Sequence, residues 1–227
     1  MRTSIFAIVA YLMMTCVAYA SDVYITQSGA SLTANIVQDG TGNIMGTTAA
    51  KVTLTGDSQT LDIDQIGNTN TIAATVVGDT QALTISQTGA SSSATVSVGA
   101  TSGADDNSII QTLVGSSITT VVNVGSAAAS GDADVDIVAT GSSNAITVNE
   151  NSTATMIGSD KKVTSITAIG ASNTITSTHT GAGDMDTTIH HTGASSTYSL
   201  AQGGANDGVV DIIAVGSGHN VTVVVTD

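Results

Sequence analysis

Residues 56–99 read GDSQTLDIDQI, GNTNTIAATVV, GDTQALTISQT and GASSSATVSVG. Gly56, Gly67, Gly78 and Gly89 each open an 11-residue block, and Gly99 arrives one residue early. Inside the blocks polar and apolar residues alternate, as in Leu61-Asp62-Ile63-Asp64-Gln65 and Ala82-Leu83-Thr84-Ile85-Ser86-Gln87. Alternation over five or six residues suits a strand, whose successive side chains point to opposite faces. Glycine beside Asn, Asp or Ser supplies the positive φ of a tight turn. Strand and turn recurring at a fixed spacing is the signature of a repeat architecture. The expected fold is all-β: a β-solenoid of stacked two-stranded coils, two blocks or about 22–23 residues to a coil, with no helix after residue 20.

Upstream of this stretch, Arg2, the apolar run from Ile5 to Met14, and Ala18-Tyr19-Ala20 follow the order of a secretory signal peptide cleaved before Ser21. The apolar run is short for a membrane span. Met13-Met14-Thr15 lacks the small residues expected before a lipidated Cys16. The expected organisation is therefore a signal peptide at 1–20 and a single solenoid domain at 21–227, most regular at 21–99 and 163–227 and looser at 100–162. The expected location is secreted, extracellular or at the cell surface, with no stable membrane insertion.

Past residue 20 there is no cysteine, which removes disulfides and cysteine-based metal or nucleophile sites. The only aromatics there are Tyr24 and Tyr198, so small and β-branched residues must fill the interior. Such residues fit a thin sheet-on-sheet core. The formal net charge is −14, and 17 of the 18 acids are Asp, with Glu150 the single Glu. Asp belongs in turns and Glu in helices, which again argues for β structure. An acidic surface repels nucleic acid and anionic membranes, so nucleic acid is excluded as a partner. Proline is absent, as continuous strand ladders require. A mean hydropathy of +0.29 with regular alternation counts against disorder.

Outside the central stretch the same pattern recurs more loosely. Val23-Tyr24-Ile25-Thr26-Gln27 closes on Ser28-Gly29, and Thr33-Ala34-Asn35-Ile36-Val37 closes on Asp39-Gly40. Inserted loops are expected around Gly46, at Ala100–Asp106, and on either side of Thr155-Met156-Ile157. The chain closes on Asn220-Val221-Thr222-Val223-Val224-Val225-Thr226. At about 4.8 Å per stacked strand, roughly nine coils would make a rod about 40 Å long.

Comparing the turns singles out candidate ladder residues. Gln27, Gln65 and Gln87 each stand two residues before a glycine (Gly29, Gly67, Gly89), and His179 and His191 hold the same place before Gly181 and Gly193. Three residues after a glycine an Asn recurs, at Asn43, Asn70, Asn144, Asn173 and Asn206. Stacked amides can bond to the equivalent amide one coil away, which satisfies polar groups that would be costly inside singly. The expected ladder comprises Gln27, Gln65, Gln87, Asn70, Asn144 and Asn173, with His179 and His191 substituting in it, and Gly29, Gly67, Gly89 and Gly170 at the turns.

These spacings resemble the curlin repeat, which runs Ser, five residues, Gln, one, Gly, two, Asn, one, Ala, three, Gln. Ser21, Gln27, Gly29, Ala34 and Gln38 match it, with Leu32 in the Asn place. Gln65, Gly67 and Asn70 match the centre of a second repeat, with Gln59, Ile72 and Val76 departing. Gln87, Gly89 and Ala94 match a third, with Gln81, Ser92 and Val98 departing. The resemblance covers residues 21–99 and continues beyond only as Gly-x-x-Asn echoes. It implies a bacterial secreted solenoid that polymerises into extracellular amyloid-like fibres for biofilm and adhesion, with a nucleator or an outer-membrane secretion protein as further partners.

The residues support that class independently. A solenoid that stays monomeric blunts its ends with caps. Here Val23, Tyr24 and Ile25 at one end and Val221, Val223 and Val225 at the other read as open assembly edges, so the expected partner is the chain itself, added head to tail. No catalytic spacing stands out, and no enzyme, cofactor or metal is expected. His179, His190, His191 and His219 with Asp184 and Asp186 form the one metal-like grouping, and ladder substitution explains two of them more simply. Asp105-Asp106 and Asp132-Ala133-Asp134 read as solvated turns over weak calcium sites. Two other classes remain open. One is the shaft of an adhesin or a virion appendage, with 100–162 as its contact region. The other is ice binding by Thr-x-Thr pairs such as Thr53/Thr55, Thr69/Thr71 and Thr153/Thr155.

Overall fold

The computed structural model describes residues 22–46, 52–78, 80–100, 107–126, 133–152, 161–181, 184–203 and 208–226. The expected signal peptide, the 101–106 insertion, Asp105, Asp106, Asp132, the Thr153/Thr155 pair and Asn206 lie outside them. Every regular element described is a strand, and the described strands pair in parallel throughout. The chain is a β-solenoid.

Two sheets alternate along the chain. The first holds β1 (Asp22–Val23), β2 (Thr26–Ser28), β4 (Asn43–Met45), β5 (Val52–Thr55), β7 (Thr69–Val77) and β9 (Ser91–Ala100). It continues with β11 (Ser117–Ser126), β13 (Ser143–Ser152), β15 (Ser172–Thr180), β17 (Thr197–Gly203) and β19 (Asn220–Thr226). The second holds β3 (Thr33–Asp39), β6 (Thr60–Ile66), β8 (Ala82–Thr88) and β10 (Asn107–Val114). Above these lie β12 (Ala133–Thr140), β14 (Lys161–Ile169), β16 (Asp184–Ala194) and β18 (Gly208–Ser217). Each sheet stacks in chain order, β3 to β18 in the second and β1/β2 to β19 in the first.

The 22–23 residue coil holds only in part. Thr60 faces Ala82, 22 residues on, and Met185 faces Gly208, 23 on. Elsewhere the step is 27 (Thr33 to Thr60), 26 (Ala82 to Ser108) or 29 (Ala133 to Lys162). The extra residues occur only between strands, on the first-sheet side or where the chain passes from first sheet to second. The return corner stays short, as at Gly67-Asn68, Gly89-Ala90, Gly115-Ser116 and Gly141-Ser142. β10 to β13 therefore keep full register through the stretch that reads as loose, because the insertions leave the strands themselves untouched.

The interior follows the alternation. In β6, Leu61, Ile63 and Gln65 are buried between more exposed neighbours. One column runs Ala74, Val96, Val122, Val148, Ser177, Leu200 and Val223 up the first sheet. Facing it, Ile63, Ile85, Gln111, Ile137, Ile166, Ile189 and Ile212 rise through the second. Small and β-branched side chains keep this two-sheet core thin and evenly filled, and each layer is stabilised mainly by the layers above and below it.

The outer faces differ. Asp39, Asp62, Asp64, Asp134, Asp136, Asp184, Asp186 and Asp211 all lie on second-sheet strands, whereas Asp22 is the one aspartate on a first-sheet strand among the described residues. Among the described residues of the second sheet no two acids are direct partners: Asp136 stands between Ile110 and Ser165, and Asp186 between Val163 and Val209. That spacing avoids like charges opposite one another.

Candidate functional site

The short corner is built from three adjacent columns. In the middle, Gly67, Gly89, Gly115, Gly141 and Gly170 stack on Gly40 so closely that a Cβ on any of them would overlap the carbonyl of the glycine below. The φ angles of Gly67, Gly89 and Gly170 fall outside the left-handed range. Close backbone approach, and not positive φ, is what requires glycine there. Gly29 differs: its φ is 132°, and it stacks under Gly56 and Gly78 at the opposite corner.

On the second-sheet side of the glycines lies a glutamine ladder. Gln65 Nε2 donates to Gln38 Oε1 at 2.6 Å, and Gln87 Nε2 donates to Gln65 Oε1 at 2.8 Å. The same amides reach across to the other sheet, with Gln65 Nε2 3.3 Å from Thr71 O and Gln87 Nε2 3.2 Å from Ser93 O. The ladder ends where the column turns apolar at Leu113, and Gln87 Oε1 has no partner among the described residues.

On the first-sheet side, Asn43, Asn70, Ser92, Ile118, Asn144 and Asn173 share one column. Asn43 Nδ2 donates to Asn70 Oδ1 at 3.4 Å, and Asn144 Nδ2 to Asn173 Oδ1 at 2.7 Å. Ser92 and Ile118 separate the two pairs. These amides also donate to corner carbonyls, such as Asn70 Nδ2 to Thr88 O at 3.0 Å.

The remaining ladder residues stand elsewhere. Gln27 lies in the first sheet opposite Leu54, and its column rises through Val76, Val98, Val124, Glu150 and His179 to Gln202 and Val225. It shares no ladder with Gln65 and Gln87. The physical reason is parity: one 11-residue block moves the chain to the opposite sheet, so Gln27 and Gln38 face each other's side. His179 belongs to the Gln27 column. His191 does belong to the Gln65/Gln87 column, above Leu113, Ala139 and Ala168. Reading the turns missed a further amide set at the long corner, where Gln59 Nε2 donates to Gly29 O at 2.6 Å and Gln81 Nε2 to Gly56 O at 2.8 Å. Gly56-x-x-Gln59 and Gly78-x-x-Gln81 were its signal.

Inside the same corner, β13 to β16 enclose a polar cluster. His179 Nδ1 lies 2.8 Å from Glu150 Oε2, with 1% and 0% of the side chains exposed. Thr164 Oγ1 donates to Glu150 Oε1 at 2.7 Å, while His179 Nε2 lies 2.7 Å from Ser177 Oγ and 3.0 Å from Thr187 Oγ1. Lys162 is buried beside it. Burial lowers the pKa of that amine, and the Glu150 charge opposes the shift. The order Ser177–His179–Glu150 is that of a hydrolase triad, but Ser177 is fully buried in a packed column. The arrangement satisfies buried polar groups. His190 lies on the outer face and His219 at the last corner, so the metal-like grouping is dispersed, and no group of three possible ligands gathers among the described residues.

Near the last layers His191 packs edge-on to Tyr198 and His219, with ring centroids 5.5 and 5.0 Å away, and its Nε2 lies 2.9 Å from Ser196 Oγ. Burial lowers the His191 pKa below 6.5 and His219 adds to this, against a hydrogen bond to the Gly170 backbone. As pH falls, the unfolded chain therefore takes up this proton first. The stabilisation is fully present above pH 6.5 and is lost as pH drops to the folded pKa. His191→Gln, which restores the residue type lower in the column, is expected to shrink the difference between urea midpoints measured at about pH 8 and about pH 5. An unchanged difference would remove His191 as its source.

Among the described residues no strand pairs with the outer side of either end layer. On β19, Val221, Val223 and Val225 continue the buried columns of Tyr198, Leu200 and Gln202, yet are 46%, 43% and 58% exposed because no described strand follows. At the other end Val23 and Ile25 point inward against the core, and Tyr24, 54% exposed, points outward. No helix among the described residues is long and apolar enough to cross a membrane. No family model, curated protein or solved structure matches the chain, so the functional reading rests on these ladders and edges.

Proposed function

We propose that this protein is a secreted structural subunit that self-assembles by strand stacking into extracellular, amyloid-like fibres resembling curli, serving surface adhesion or a biofilm matrix. One observation carries the reading: both end layers expose strand edges whose inward side chains continue the registered columns of the interior. An added strand there gains a full ladder of backbone hydrogen bonds and covers apolar surface.

The test is electron microscopy and fibre diffraction on the purified protein. Filaments with a meridional spacing of about 4.7 Å are expected. A β-rich particle that stays monomeric or forms a small closed oligomer would overturn the proposal. Within it, the double variant Gln65→Ala, Gln87→Ala is expected to lengthen the assembly lag and to cost about 1–3 kcal/mol, since Gln38 Oε1 loses its Gln65 donor inside the core. Unchanged lag and unfolding midpoint would show that the ladder contributes nothing.

A further inference from the structure

We infer that successive subunits stack head to tail with a half-turn of rotation about the solenoid axis, so that β1/β2 of one copy pair with β18 of the copy below and β3 pairs with β19. This rests on the assembly reading above and names the partner surface. The first and last described strands, β1 and β19, lie in the same sheet. Ascending the solenoid, strands alternate between sheets, each half a strand spacing above the last. β19 therefore stands half a step above β18, and β3 half a step above β1/β2.

Simple translation that seats β1/β2 on β19 puts β3 two steps above β18. One strand slot in the second sheet is then empty, with backbone groups unpaired on both of its edges. A half-turn removes the gap: β1/β2 come one step above β18, and β3 one step above β19. Strand direction is preserved, since the chain runs opposite ways on the two sides of a solenoid.

The two corners are chemically interchangeable enough to permit this. Gln27-Ser28-Gly29 and Gln38-Asp39-Gly40 repeat the same turn on opposite sides. Gly29 (φ 132°) adopts nearly the same backbone as Gly216 (φ 139°), the last glycine of the other corner, on which it would stack. Inward residues align as well, with Ile25 over Ile212 and Ile36 over Val223. Charge favours the same choice. Most of the described acids sit on the second-sheet face, with Asp22 the one aspartate on a first-sheet strand, so rotation alternates strongly and weakly acidic faces along each side of the filament and separates the like-charged faces of neighbours.

Engineered cysteines distinguish the arrangements, because Val223 and the two candidate partners lie at opposite ends of one copy and can be linked only between copies. Adjacent stacked positions, about 4.8 Å apart, are within disulfide reach. In oxidised filaments, Val223→Cys with Ile36→Cys is expected to give a covalent multimer ladder, with the linked peptides identified by mass spectrometry, and Val223→Cys with Ile25→Cys is not. Linkage through Ile25→Cys, or through neither pair in filaments that do form, overturns the half-turn and leaves stacking intact. Absence of filaments from the unmodified protein overturns the assembly proposal and this inference together. Helical reconstruction of unmodified filaments gives an independent readout: a rise of about 41 Å per subunit, eight and a half strand spacings, is expected with the two sheets exchanging sides at each junction. A junction that keeps each sheet on its own side overturns the half-turn.

Discussion

Glu150→Ala is expected to destabilise the fold by about 3–5 kcal/mol, because it removes a carboxylate on which several buried polar groups depend. The variant strips His179 Nδ1 of its partner at 2.8 Å and Thr164 Oγ1 of its acceptor, and leaves Lys162 without the nearest opposite charge. Water cannot compensate, because the side chains involved are almost completely buried. The chemistry of the column suggests the control. Below Glu150 it holds Val98 and Val124, so Glu150→Val with His179→Val, and Lys162→Met to remove the stranded amine, continues the apolar packing. Replacing a whole buried polar and charged cluster by apolar residues is often neutral or stabilising. The triple variant is therefore expected to be far less destabilised than the sum of its single changes. Urea unfolding followed by circular dichroism measures both. Additive losses would show that the three residues act independently, against the hydrogen-bonded cluster described.

Gly170→Ala and Gly89→Ala are expected to cost at least about 3 kcal/mol each, the upper end of the range for overpacking. The new Cβ would overlap the carbonyl of Gly141 or Gly67, and backbone held in a strand stack cannot step aside as a side chain can. Since neither glycine uses a left-handed φ, the cost is steric and recurs wherever two layers meet. Gly125→Ala is the matched control: its Cβ would meet nothing within 4 Å, and its effect is expected to stay within about 0.5 kcal/mol. The same unfolding measurement separates the three. Equal, small losses would mean that the corners can widen, which the tight glycine stack argues against. These corner variants are also expected to slow filament growth, because each new layer must close the same stack.

Much of this is legible in the sequence alone. Alternation in Leu61–Gln65 and Ala82–Gln87 placed the strands, because side-chain direction in a strand depends only on odd or even position. The Gly-x-x-Asn spacing located Asn70, Asn144 and Asn173, and Gln65 with Gln87 stood out by the glycine that follows each. Glu150 was visible only as the lone glutamate. Nothing local marks it as a partner of His179, 29 residues away. The same limit hid Lys162, Thr164, Ser177 and Thr187, whose shared cluster is created by stacking two successive layers of each sheet, β13 on β15 and β14 on β16.

The sequence by itself determined the all-β class, the strand-and-turn repeat and the identity of the inward-facing residues, since these follow from alternation and turn chemistry within a few neighbouring residues, whereas the 22–23 residue period holds only in part. Only the tertiary structure decided which inward residues stack on one another. An 11-residue block carries the chain to the opposite sheet, and insertions of unequal length are absorbed between strands. Similar turns therefore end in different columns, as Gln27 and Gln65 do, while residues 29 apart, such as Glu150 and His179, become direct partners.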